Sequence, residues 1–194
     1  MADDRDRRAP AGGDREMTRQ WVEAAASLPA PRHELSSVWT AVRSDPVPDD
    51  VARLLATVPE WFGLPDANSE YIEAAGTKET WTVRDSEDRV VGVTLVDRHF
   101  PHVVDIYLTV VDRRAHGTGV GTAMITAIED DARQRGARLM EVKTLGASHP
   151  DEGYARTRHF YEKMGFLPME ETDLWGEDSP CLFMVKPLVS GPHR

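Results

Sequence analysis

The stretch from Val103 to Arg135 constrains this chain most. Val103–Val111 is almost continuously apolar, with Asp105 its only charge, and reads as a central strand buried on both faces. His116-Gly117-Thr118-Gly119-Val120-Gly121-Thr122 follows. A helical pattern then runs to about Arg135. Val120, Ala123, Met124, Ala127 and Ile128 fall on one side, and Glu129, Asp130, Asp131 and Arg133 cover the other. Gly136 stands where a left-handed cap would end it. Glycines let a backbone come close to a ligand, and a helix start offers unpaired N–H groups and the positive end of a dipole. Together they make a phosphate site. Two familiar phosphate motifs fit poorly. A P-loop needs a Gly-Lys-Ser/Thr ending, and the dinucleotide fingerprint needs Gly-x-Gly-x-x-Gly, whereas the spacing is Gly117-x-Gly119-x-Gly121. An ordinary glycine-rich connection is the competing reading of the turn taken alone.

The remaining elements predict a mixed α/β sheet with helices on its faces. Residues 37–42 read as a strand, 49–58 and 65–75 as helices, and 79–84 and 90–96 as a hairpin about a turn at 85–88. After the glycine-rich helix come a strand at 138–145, a helix at 154–164 stopped by Gly165, and strands at 166–170 and 181–186. Residues 1–34 read as a flexible extension, rich in alternating charge, Pro and Gly, with one helix predicted over 18–28. The folded domain is expected over 35–190.

The chain has 194 residues, enough for one domain with a substantial core. A formal net charge of -10 argues against a general nucleic-acid binder, which needs a basic footprint. It permits a cationic substrate, and serves equally to keep the protein soluble. The single cysteine, Cys181, allows no intrachain disulfide and reads as buried rather than nucleophilic. The charged N-terminus carries no apolar signal segment, and no apolar run is long enough to span a bilayer, so a cytoplasmic location is expected.

At the turn the chain resembles the GNAT N-acetyltransferase superfamily, whose members carry Arg/Gln-x-x-Gly-x-Gly/Ala between a central strand and a helix. His116 takes the first position, with the fixed glycines at Gly119 and Gly121; a frame starting at Arg114, with Gly117 and Gly119, also satisfies the pattern. Phe160-Tyr161-Glu162-Lys163-Met164-Gly165-Phe166 is similar to the family's second signature, Phe/Leu-Tyr-x-x-x-Gly-Phe. The Asn and Ala that often precede its tyrosine are replaced by Tyr154 and Thr157. The resemblance covers about 36–188. It implies a mixed, mostly antiparallel sheet of about seven strands flanked by about four helices. It also implies acetyl-CoA as co-substrate, lying where the fourth and fifth strands splay apart. Thr109, Val110 and Val111 would then take the pantetheine arm. His116, Gly117, Thr118, Gly119, Val120, Gly121 and Thr122 would take the pyrophosphate.

Acetyl transfer needs a neutral amine, a donor for the thioester oxygen and a proton for the leaving thiolate. The resemblance makes Tyr161 the acid; an amphipathic aromatic in a helix is the competing reading. A backbone N–H near Val110 is expected as the carbonyl donor. Asp105 lies four residues before Thr109, where some members carry a general base. It reads equally as a structural carboxylate with a partner, or as an anchor for a cationic amine. His99, His102 and Glu141 are lesser base candidates, and no metal is expected, since His99 and His102 lack a third ligand. Trp61, Phe62, Glu70, Tyr71 and Glu73 fall where the family builds its acceptor wall, Trp61 and Phe62 reading first as core. The loop at 172–180, with Trp175, is expected to border the acceptor pocket or a homodimer contact. The function expected is direct acetylation of a small-molecule amine in a ternary complex. Its alternatives are a protein or peptide N-acetyltransferase, or a non-catalytic acyl-CoA-binding sensor.

Overall fold

The computed structural model describes residues 39–188. The extension expected over 1–34 lies outside the described residues. Seven strands form one sheet: β1 (Ala41–Ser44), β2 (Glu79–Arg84), β3 (Val90–Phe100), β4 (Val103–Val111), β5 (Leu139–Leu145), β6 (Leu167–Thr172) and β7 (Cys181–Pro187). Their order is β1-β2-β3-β4-β5-β7-β6, and every neighbouring pair is antiparallel except β4 and β5. Four helices flank the sheet: α1 (Pro48–Leu55), α2 (Pro65–Ala74), α3 (Val120–Gln134) and α4 (Glu152–Lys163). The mixed, mostly antiparallel architecture expected from the sequence is the one observed. No helix among the described residues is long and apolar enough to cross a membrane.

Alternation along the strands gives each face its own core. Val51, Leu54 and Leu55 of α1 pack on Val93, Leu95, Leu108 and Val110. On the other face Ile125, Ile128 and Ala132 of α3, with Tyr161 of α4, pack on Val96, Val104, Ile106, Met140 and Val142. The N-terminal turn of α3 joins Val83 and Val91 through Val120, Ala123 and Met124. It comes this close because of Gly92, where a Cβ would stand 2.5 Å from Val120 Cγ1.

Two irregularities in β4 shape everything that follows. Leu95 lies opposite Leu108 and Val96 opposite Ile106, so Tyr107 is an extra residue, a β-bulge. Ile106 therefore faces α3, whereas Leu108, two residues on, faces α1. The second irregularity is on the β5 side. Val103–Ile106 pair with Leu139–Val142, and the ladder then stops, although β4 continues to Val111 and β5 to Leu145. The two strands part at the bulge.

Several boundaries differ from the sequence expectation. The hairpin strand predicted over 90–96 runs on to Phe100. The charged residues of this extension are held in place: Asp97 by Lys78, and Arg98 by Glu79 and Asp131. The helix expected from 154 begins at Glu152, because the Asp151 carboxylate caps it and accepts from the Tyr154 amide at 2.8 Å. The first strand is Ala41–Ser44; of the 37–42 expected, 37 and 38 lie outside the described residues.

Candidate active site

The glycine turn closes the open end of β4. A short 3-10 turn, Arg113–Ala115, leads into it, and Asp112 caps that turn by accepting from the Arg114 amide. Gly117 and Gly119 have φ of 74° and 100°, left-handed values that side chains other than glycine rarely adopt. Gly119 is the N-cap of α3, as the frame beginning at His116 requires. Among the described residues the amides of Gly119, Val120, Gly121 and Thr122 have no acceptor, the first intrahelical bond being Ala123 N–H to the Gly119 carbonyl. Free amides at a helix start fit a pyrophosphate. The indole N–H of Trp39 pins the apex, donating to the Thr118 carbonyl at 3.1 Å and to its hydroxyl at 3.0 Å. His116 turns its ring the other way. Its Nε2 is 3.0 Å from the Val111 carbonyl, and its edge meets Trp61 at 5.6 Å.

The open half of β4 offers its backbone to the splay. Asp112 N–H donates to the Val91 carbonyl at 2.8 Å, and Val110 stands opposite Val93. Alternation in an antiparallel ladder then turns the N–H and C=O of Val110 toward β3, and those of Thr109 and Val111 toward the gap left by β5. Of the backbone amides near Val110, those of Thr109 and Val111 are therefore the ones that face the splay.

Tyr161 reaches the same place from the other side. It is 5% exposed, packed edge-on to Phe160 and Phe166. Burial pushes its hydroxyl up to about 12, and the neighbouring Thr109 side chain works against that shift. The phenol is thus held beside the splay and neutral across the ordinary pH range. Thr109 in turn lies 3.2 Å from the Thr94 hydroxyl.

Asp105 lies where β4 and β5 still pair, opposite Glu141, and only 4% of it is exposed. Lys143 Nζ is 2.9 Å from its Oδ2 and 2.6 Å from Glu141 Oε1. Burial disfavours the Lys143 ammonium, but the bonds to Glu141 and Asp105 outweigh it and hold the lysine above its usual range. His99 Nε2 stands 3.7 Å from the same Asp105 oxygen, while His102 stacks on Phe100 instead. Tyr71 of α2 meets both Phe62 and Tyr107, and Lys78 Nζ lies 4.3 Å above the Tyr107 ring. Cys181 is buried, and burial pushes its thiol up.

The acetyltransferase (GNAT) family model matches residues 39–166, which hold the turn, the splay and all of α4. The chain belongs to the GNAT acetyltransferase family. Its fold is shared by a crystal structure of aminoglycoside 6'-N-acetyltransferase complexed with coenzyme A, at 21% identity and a TM-score of 0.60, covering 79% of this chain and 99% of that one. The aminoglycoside 6'-N-acetyltransferase from Enterococcus faecium is similar at 20% identity and a TM-score of 0.61, over 79% and 99%. The ribosomal-protein-S18-alanine N-acetyltransferase from Escherichia coli is similar at 13% identity and a TM-score of 0.60, over 81% and 99%. At these identities the likeness is one of fold. A comparison with curated proteins finds no match.

Around the site of this GNAT enzyme stand Trp39 and Lys143, which its sequence did not single out, and Trp61 and Tyr154, whose contacts it did not show. Trp39 was legible only as part of a first strand. Lys143 looked like one charge in a strand. Trp61, read as core, is only partly buried; it carries His116 on its ring, Arg156 above it at 5.7 Å, and accepts from the Tyr154 hydroxyl at its carbonyl, 2.8 Å away. Tyr154, in the place of the family's Asn, thereby ties α4 to the segment after α1. Glu70 and Glu73 stay on α2, and Trp175 is 43% exposed.

Proposed function

We propose that this enzyme transfers acetyl from acetyl-CoA to an amine of a small molecule, by direct attack in a ternary complex, within a domain spanning 35–190. The observation that carries this reading is the gap between β4 and β5. It ends in a turn of free amides, and Tyr161 stands at its edge.

In this reading the amides of Gly119, Val120, Gly121 and Thr122 hold the pyrophosphate. Thr109 and Val111 pair with the pantetheine arm as a missing strand would. The Thr109 amide donates to the thioester oxygen as charge gathers there. The amine attacks as its neutral form, and Asp105 takes its proton, directly or through water. Carbon–sulfur cleavage leaves a thiolate, which Tyr161 protonates. With its hydroxyl held near 12, Tyr161 is an intrinsically weak acid, so its contribution rests on positioning. The acceptor approaches from the α2 side, where Tyr71, Tyr107, Glu141 and Asp105 line the face.

The test is acetyl-CoA-dependent thiol release over a panel of small amines, amino acids, polyamines, aminoglycosides and peptides. Release with a small amine, lost in Tyr161→Phe, supports the reading. Release with peptides alone replaces the acceptor class. Acetyl-CoA binding without release from any acceptor moves the protein to the sensor class.

A further inference from the structure

The carboxylate that receives the proton is not left alone in its strand. We propose that Lys143 is a positioning residue of the acceptor side: its ammonium holds the Asp105 carboxylate by one oxygen and leaves the other open to accept a proton. This rests on the base role given to Asp105 above.

Asp105 and Glu141 face one another across the parallel pair, and Lys143 lies two residues along β5 on the same face of the sheet. Its ammonium therefore comes down between two carboxylates that would otherwise repel each other. It also lies 5.2 Å from the centre of the Phe183 ring. Only Asp105 Oδ2 is used. Oδ1 is buried and has no hydrogen-bond partner among the described residues. A buried carboxylate oxygen without a partner is costly, and a proton or a donating amine would relieve that cost.

The charged and titratable groups around Asp105 come from several elements. β3 contributes Asp97 and His99, the segment before β2 contributes Lys78, and β5 contributes Glu141 and Lys143. Cys181 of β7 is close enough to feel Asp105, Glu141 and Lys143, and Tyr71 of α2 adjoins it. Lys78 is committed to Asp97. Lys143 is thus the cation that Asp105 and Glu141 share. Without it, Asp97, Asp105 and Glu141 would stand together with one lysine and one histidine, and like charge would favour protonation of Asp105.

The experiment is a pH titration of the Asp105 carboxyl carbon by NMR in protein labelled at aspartate, its signal identified by loss in Asp105→Asn. In Lys143→Met the Asp105 midpoint should rise by about one to two units, and Lys143→Arg should return it. An unmoved midpoint in Lys143→Met with a native circular dichroism spectrum overturns the proposal; if that variant does not fold, Lys143→Gln is read the same way. The acid limb of thiol release, measured with the amine that the panel selects, should follow the midpoint. A limb that survives in Asp105→Asn removes the base role of Asp105, while the NMR midpoints still decide what Lys143 does.

Discussion

The two ends of β4 have the same apolar character and do opposite work. Val103–Ile106 are bonded on both sides, by β3 and β5, and their chemistry resides in side chains: Asp105 with Lys143, across from Glu141. Residues 107–111 are bonded only by β3, and what they offer is backbone. In the proposed reading the difference separates two tasks. Co-substrate recognition would depend on a few glycine dihedrals and a strand that loses its neighbour. Acceptor recognition would depend on side chains, which can change without disturbing the ladder. The solved structures that share this fold are named for acceptors as unlike as an aminoglycoside and a ribosomal-protein alanine.

The comparison breaks most severely at the turn. Gly119→Val forces a branched side chain onto φ of 100° and displaces the free amides. Acetyl-CoA affinity, measured calorimetrically, should fall on the order of 100-fold or more. Unchanged affinity in a folded variant would sink the phosphate assignment. Tyr161→Phe tests the edge of the splay. Turnover should fall on the order of 100-fold while acetyl-CoA affinity stays within about twofold, the pattern of an interaction made in the transition state. Equal turnover would remove Tyr161 from the mechanism.

Gly92→Ala reaches the open half of β4 through packing. The new methyl would meet Val120 at 2.5 Å and the Met124 methyl at 3.1 Å. Urea unfolding should show a loss of about 1–3 kcal/mol, as for overpacking elsewhere. A variant as stable as the parent would mean that α3 can shift away from the sheet at little cost. The smallest effect is expected at high pH. Burial holds Tyr154 and Tyr161 near 12 against an ordinary value near 10. Their neutral forms are favoured in the folded state, so this stability is complete below about pH 10 and is lost as pH rises toward 12. Phenolate absorbance should show these two tyrosines ionising last. Ionisation of all four at about pH 10 in the folded protein would contradict the burial of both rings.

Some of this was legible in particular residues. Gly117 and Gly119 before an amphipathic run marked the turn, because left-handed dihedrals favour glycine and a helix start collects free amides. Val103–Val111 marked the central strand by its apolarity, and Tyr161 was marked by the resemblance of the segment from Phe160 to Phe166 to the family's second signature. The extension of the hairpin strand past 96 was not legible, because the partners that hold Asp97 and Arg98, namely Lys78, Glu79 and Asp131, are distant in the chain. Which amide near Val110 faces the splay was not legible, because the direction of an amide depends on ladder register, which no residue type announces.

The sequence by itself determined the elements, the turn and the family, since local dihedral preference and hydrophobic period act over a few neighbouring residues. Only the tertiary structure decided where β4 leaves β5, which way Tyr107 shifts the faces, and that Lys143 comes down on Asp105. Those outcomes depend on register between strands and on charges brought together from residues 38 positions apart, and they are settled by packing rather than by any local signal.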